Sequence, residues 1–226
     1  MNTTYFPSAE LVNAGMLKVY NNMGLGLVVT ALVSFLVSSS PALMSVLFGT
    51  PLKWVVIFAP LVLSLVMSFG MALDKISTNT GRILFYVFSV LMGLSLSTIF
   101  VIYTSGSIFG AFVSASGIFF AMSIYGYFTK RSLESLGQFL FIGLIGIIIA
   151  SVVNIFLENS TMGLVINVLA VLIFTGLTAY DTQRIRDQIR FGSDIERTSV
   201  MGAFALYLDF INIFINLLQL FGGRKD

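Results

Sequence analysis

The sequence predicts an all-α membrane protein with seven transmembrane helices. Charged residues make up only 10% of the chain and hydrophobic residues 57%, with a mean hydropathy of +0.98. A soluble domain carries about 25% charged residues, so the apolar excess needs the bilayer as its solvent. The 22 phenylalanines are spread over the whole chain, so this is no soluble domain with one anchor. Finally, the apolar residues fall into seven stretches, each close to the ~20 residues that cross ~30 Å of hydrocarbon as a helix.

Those stretches are 22–45, 52–73, 83–104, 107–128, 137–157, 162–181 and 200–221, punctuated by charge, Gly or Pro. Spans of this length satisfy their own backbone in lipid only as helices. The connectors are short except TQRIRDQIRFGSDIERTS, 182–199, which reads as a long polar loop. We therefore divide the chain into an N-terminal tail, 1–21, a transmembrane domain, 22–222, and a C-terminal tail, 223–226. The N-terminus, MNTTYFPSAELVNAGMLK, lacks the basic stretch of a cleaved signal peptide, so the first apolar run is expected to stay as a span. No internal repeat of the inverted-transporter kind is evident.

Basic residues orient the spans. With seven crossings, one side of the membrane holds Lys18, Lys75, Arg82, Lys130, Arg131, Arg184, Arg186, Arg190 and Arg197. The other holds Lys53, Arg224 and Lys225. This imbalance places the N-terminus in the cytoplasm and the C-terminus outside. A re-entrant last segment, suggested by its polarity, would put Arg224 and Lys225 inside as well. The net charge of +2 is gathered in short clusters between spans, so no nucleic-acid partner is expected.

The chain has neither Cys nor His. That removes thiol nucleophiles, Ser-His-Asp triads, the usual zinc sites and histidine pH switches. No H-E-x-x-H, no G-x-S-x-G and no aspartyl intramembrane protease pattern occurs, and the glycines of GLGLVV, 24–29, and GLIGIII, 143–149, read as helix contacts. No enzyme activity and no cofactor is expected. Any response to pH must come from carboxylates.

Most acidic residues lie in loops, termini or span edges and read as solvated: Glu10, Asp74, Glu134, Glu158, Asp187, Asp194, Glu196 and Asp226. Asp209 does not. With a helix starting near Thr198 it lies ~16 Å along the axis, where an unpaired carboxylate costs about 2.5–3.5 kcal/mol by insertion scales. Asn212, Asn216 and Gln219 follow it on one helical face, which Gly202 and Ala205 extend with small side chains. This stripe must face protein or water. Interhelical hydrogen bonding accounts for the amides, whereas a neutral residue would serve that purpose better than Asp209 does; a proton or cation role suits the carboxylate. Asn154 and Asn167, in the fifth and sixth spans, are path-lining or glue residues in the same sense.

Asp181 closes the sixth span in TAYDTQRIRDQ, with Thr178 and Arg184 three residues to either side. Alone it reads as an interfacial Asp paired with Arg184 or Arg186. The sixth span exits on the side where the seventh enters, which brings Asp181 toward Asp209. Two carboxylates a few ångströms apart in a dry site cannot both ionise cheaply, so they titrate as a coupled pair. Such a pair also offers oxygen ligands to a hard ion such as calcium, bound transiently.

TAYDTQRIRDQ, 178–188, and ALYLDFINIFINLLQLFG, 205–222, resemble the two signature segments of the transmembrane Bax-inhibitor motif family, and MLKVYNNMGLGLVVTALVSF, 16–35, is similar to the start of its bacterial members. The resemblance implies seven helices with the last in the centre. It also implies a pH-sensitive calcium leak in which Asp181 and Asp209 form a hydrogen-bonded sensor pair. The family further has a basic latch and an acidic residue in the second span. Here WVVIFAPLVLSLVMSFGMALDK, 54–75, has no Arg and no acid before Asp74, which leaves Lys75 and Arg82 as candidate latches. Some bacterial members associate with a membrane-bound ATP-dependent protease. The expectation is thus a calcium leak channel of a bacterial inner membrane, partnered by the lipid bilayer and calcium ions. The alternatives are a protease regulator without transport and a proton-coupled transporter using Asp209.

Overall fold

The structure, a computed structural model, describes residues 8–192 and 194–225. These form α1 (Ala9–Ser38), α2 (Pro41–Gly49), α3 (Leu52–Ala72), α4 (Thr78–Ile102), α5 (Ser105–Phe128), α6 (Glu134–Leu157), α7 (Ser160–Arg190) and α8 (Ile195–Phe221). All but α2 are long and apolar enough to cross a membrane. The seven expected spans are present, and several of their boundaries differ for physical reasons.

α1 begins at Ala9, so residues 9–21, expected as part of a tail, are helical. Ser8 caps this start by accepting from the Leu11 N–H at 3.3 Å. Val12, Met16 and Val19, spaced three and four apart, are buried despite the polar residues between them. At its other end the span breaks in the serine run before Pro41, because a residue preceding proline is driven out of helical geometry. Ser40 then caps the short α2, with Pro41 in its first turn.

The long loop expected at 182–199 is mostly helix. α7 continues nine residues past Asp181 because Ile185 and Ile189, four apart, give the charged segment one buried face. It stops where Gly192 takes a φ of +89°, a left-handed conformation suited to glycine. α8 starts soon after, where the Asp194 carboxylate accepts from the N–H groups of Glu196 at 2.9 Å and Arg197 at 3.2 Å. α8 is uninterrupted over 27 residues, roughly 40 Å, so the re-entrant alternative is excluded.

The described residues fall into two compact units. One comprises the described residues up to Thr104, those of 189–207 and those from Arg224 on, the other Ser105–Gln188 and Leu208–Gly223. In the first, Thr30 and Ser34 of α1 donate to the Ser89 and Gly93 carbonyls of α4, each at 2.8 Å. Phe85 and Phe88 of α4 meet Phe204 and Tyr207 of α8 edge-on. Glu196, at the start of α8, is paired with both Lys18 and Arg82. The Arg197 guanidinium binds Asp74 at 2.8 Å, the Met71 carbonyl in the last turn of α3 and the Ile76 carbonyl just after it. The acidic residues read as solvated thus include two that tie α8 to its neighbours.

In the second unit, α7 packs on α5 and α6 at small residues. A Cβ on Gly126 would run into the Ala179 backbone carbonyl, and one on Gly137 would lie 2.5 Å from the Tyr180 ring. Phe112 and Phe119 of α5 pack against Phe210, and Phe112 also against Phe214. Of the glycines expected at helix contacts, Gly26 and Gly143 are in contact, whereas Gly24 and Gly146 face open space.

α8 is the most enclosed span, with 61% of its central window buried against 11–33% for the others. That burial fits the central place expected of the last helix. Gly126→Ala should lower the thermal midpoint in detergent, because a methyl pressed on backbone costs about 1–3 kcal/mol. Gly110→Ala, with open space around it, should leave the midpoint unchanged or raise it slightly. Equal midpoints for the two variants would contradict the close α5–α7 approach.

Candidate functional site

The site is assembled on two helices of one unit. Asp209 lies fourteen residues into α8, near the midpoint of its length. Its neighbours along the helix, Leu206, Tyr207, Phe210 and Ile213, are all buried. Asp209 itself is 3% exposed, and its Oδ2 has no hydrogen-bond partner. A buried carboxylate oxygen without a donor is costly wherever it occurs. A residue kept only to join helices would find one.

Asp181 lies on α7 between Thr178 and Thr182, both fully enclosed. The structure places it within electrostatic reach of Asp209. Its side chain remains 16% exposed, and the Arg184 guanidinium stands 3.8 Å from its Oδ1. That distance is long for an ion pair and Arg184 is 53% exposed, so the attraction is weak. Arg184 is the cation beside Asp181. Arg82, expected as a candidate latch, donates to Glu196 at 2.7 Å. Lys75 lies in the turn after α3, its N–H on the Gly70 carbonyl. The hydrogen-bonded pair that the resemblance implies is not formed through Asp209 Oδ2.

The amides behave differently from expected helix glue. Asn212 donates to the Leu208 carbonyl and Asn216 to the Asn212 carbonyl, each at 2.8 Å and within α8. Such back-bonding satisfies an intramembrane amide locally and leaves its own oxygen to accept. Both are half-buried, as is Asn167 on α7, whereas Gln219 is exposed, so the polar face ends before the last turn. Asn154 accepts from the Asn159 N–H at 3.2 Å and closes the end of α6. Among the described residues, no group of three or more acidic, His or Cys side chains could hold a metal.

Sequence reasoning missed the residues that hold Asp181's helix. Gln183, 7% exposed, accepts from the Leu133 N–H and donates to the Arg131 carbonyl, both at 2.8 Å. Arg186 caps the end of α5, donating to the carbonyls of Tyr127, Gly126 and Thr129. Ser123 and Thr182 share a buried hydrogen bond of 3.1 Å. The four-residue spacing of Ile185 and Ile189 was the signal for this helical extension.

With this geometry in view, comparison with known proteins decides the family. A family model described as inhibitor of apoptosis-promoting Bax1 matches residues 12–226. The chain belongs to this Bax-inhibitor family. Inner membrane protein YbhL of Escherichia coli (strain K12) is 43% identical, over 93% of this chain and 92% of its own. A Rickettsia prowazekii protein, RP147, is 41% identical over 93% and 90%. A Borreliella burgdorferi protein is 39% identical over 95% and 94%. Within this Bax-inhibitor chain, Asp209 is an ionisable group held without compensation. Asp209→Asn should therefore fold and be at least as stable as wild type near pH 8, since the charge it removes costs about 2.5–3.5 kcal/mol at mid-membrane. A lower thermal midpoint in detergent for Asp209→Asn would show that the carboxylate is structural.

Proposed function

We propose that this chain is a pH-sensitive calcium leak pathway of a bacterial inner membrane, with its N-terminus in the cytoplasm, controlled by Asp181 and Asp209. The supporting observation is the enclosed Asp209 carboxylate, one oxygen unpartnered, in the field of a second carboxylate. Protonation decides how many negative charges the pair carries, and so whether a divalent cation meets an attractive or a neutral site. Asp181, 16% exposed beside the half-exposed Arg184, is the more open of the two carboxylates and the one through which a proton or cation would reach the pair.

The half-buried amides of Asn212 and Asn216 extend the polar surface of α8 beyond Asp209. Their oxygens suit a hard cation, as calcium takes carbonyl and carboxylate oxygens at about 2.3–2.6 Å. With few strong ligands in line, a passing ion is held weakly, which suits slow leak and not storage.

Proteoliposomes loaded with a calcium dye test this reading. Wild-type flux should differ between mildly acidic and mildly alkaline buffer, because the proton count of a coupled carboxylate pair changes with pH. Asp209→Asn should remove that difference, because an amide has no proton to exchange. Identical pH profiles for the two proteins would end the sensor proposal.

A further inference from the structure

Asp181 can serve a pair only if its own backbone is held still, and the structure holds it from the water side. The α7 turn that carries it, residues 178–186, is bound to α5 and α6 and the connection between them by contacts that leave little freedom. On the α5 side, Gly126 lets the Ala179 carbonyl approach backbone to backbone, and Ser123 bonds Thr182. On the α6 side, Gly137 receives the Tyr180 ring. These contacts surround Asp181 at positions one and two residues away.

The remaining constraint is a polar clamp. Gln183 uses both ends of its amide on the 129–133 connection, accepting from Leu133 N–H and donating to Arg131 C=O. Arg186, one turn on, takes carbonyls that end α5. Those carbonyls lack intrahelical partners and would otherwise need water or another cap. A buried amide satisfied at both ends tolerates no displacement without leaving a donor or acceptor unpaired.

We infer that Gln183 is a positioning residue for Asp181: by clamping the α5–α6 connection to α7 it sets where the Asp181 carboxylate stands relative to Asp209. This rests on the pair reading given above. The charged groups acting on Asp181 are Arg184 of its own helix and Asp209 of α8. The contacts from α5 and α6 are a serine and two glycines, none ionisable. Loosening the clamp therefore changes the distances to Arg184 and Asp209 without adding or removing a charge nearby.

Gln183→Met keeps the volume and lacks both hydrogen bonds, so any change in pH response cannot come from altered charge. In lipid nanodiscs, hydrogen exchange at the Leu133 amide should quicken about tenfold, as befits one lost hydrogen bond of roughly 1.4 kcal/mol. In calcium-dye proteoliposomes, the pH midpoint of flux should move by about one unit, the scale set by a changed distance to a neighbouring charge at short range. Gln183→Asn, one methylene too short to bridge both groups, should do the same and serves if Gln183→Met does not fold. Faster exchange with an unmoved midpoint overturns the positioning role and leaves the pair reading intact. Unchanged exchange overturns the clamp itself. A wild type whose flux ignores pH sinks the pair reading, and the positioning role with it.

Discussion

A carboxylate at the middle of a transmembrane helix has to be walled off from lipid, and much of this chain follows from that need. α8 meets it by being covered on nearly every side. Its first half lies under α1 and α4, where Phe85, Phe88 and Thr30 close around Phe204 and Tyr207. Its second half lies under α5, where Phe112 and Phe119 close around Phe210 and Phe214. The cost of enclosing Asp209 is accepted without a compensating hydrogen bond on Oδ2. An ionisable group thus stands where a neutral one would be cheaper in a membrane.

The ends of the helices are handled by charge and not by apolar packing. Glu196 gathers Lys18 and Arg82, and Arg197 reaches Asp74 and the carbonyls at the end of α3 and just after it. Arg186 does the same for α5. Guanidinium groups suit this task because their forked donors serve several carbonyls at once, in a boundary where water is scarce. Basic residues at the span ends thus also serve as structural caps.

Much of this was legible in the sequence. Seven apolar runs give the spans because hydropathy is a local property, and the i, i+3, i+7 spacing from Asp209 to Asn212 and Asn216 gives the polar face. What could not be read is set by tertiary contact. The segment 182–190 carries too much charge to look like part of a span, yet Ile185 and Ile189 bury one side of it. The amides of Asn212 and Asn216 turn back to their own helix, a choice of rotamer that spacing does not determine. Gly24 and Gly26 look alike in sequence, but only the second faces a neighbour. The partner of Arg82 is on a helix more than a hundred residues away, beyond the reach of any local pattern.

The end of α4 carries a consequence in time. Its Ile102 carbonyl is satisfied by the Lys225 N–H at 2.9 Å, and its Phe100 carbonyl by the Lys225 ammonium, from a residue 125 positions further along the chain. During synthesis at about 5–20 residues per second, these carbonyls wait roughly 6–25 s for Lys225 to be made. Until then the turn joining α4 to α5 must borrow its hydrogen bonds from water, headgroups or the insertion machinery. The first unit of the protein is therefore left unfinished while residues 105–188 are being made, awaiting both the first half of α8 and the segment that carries Lys225.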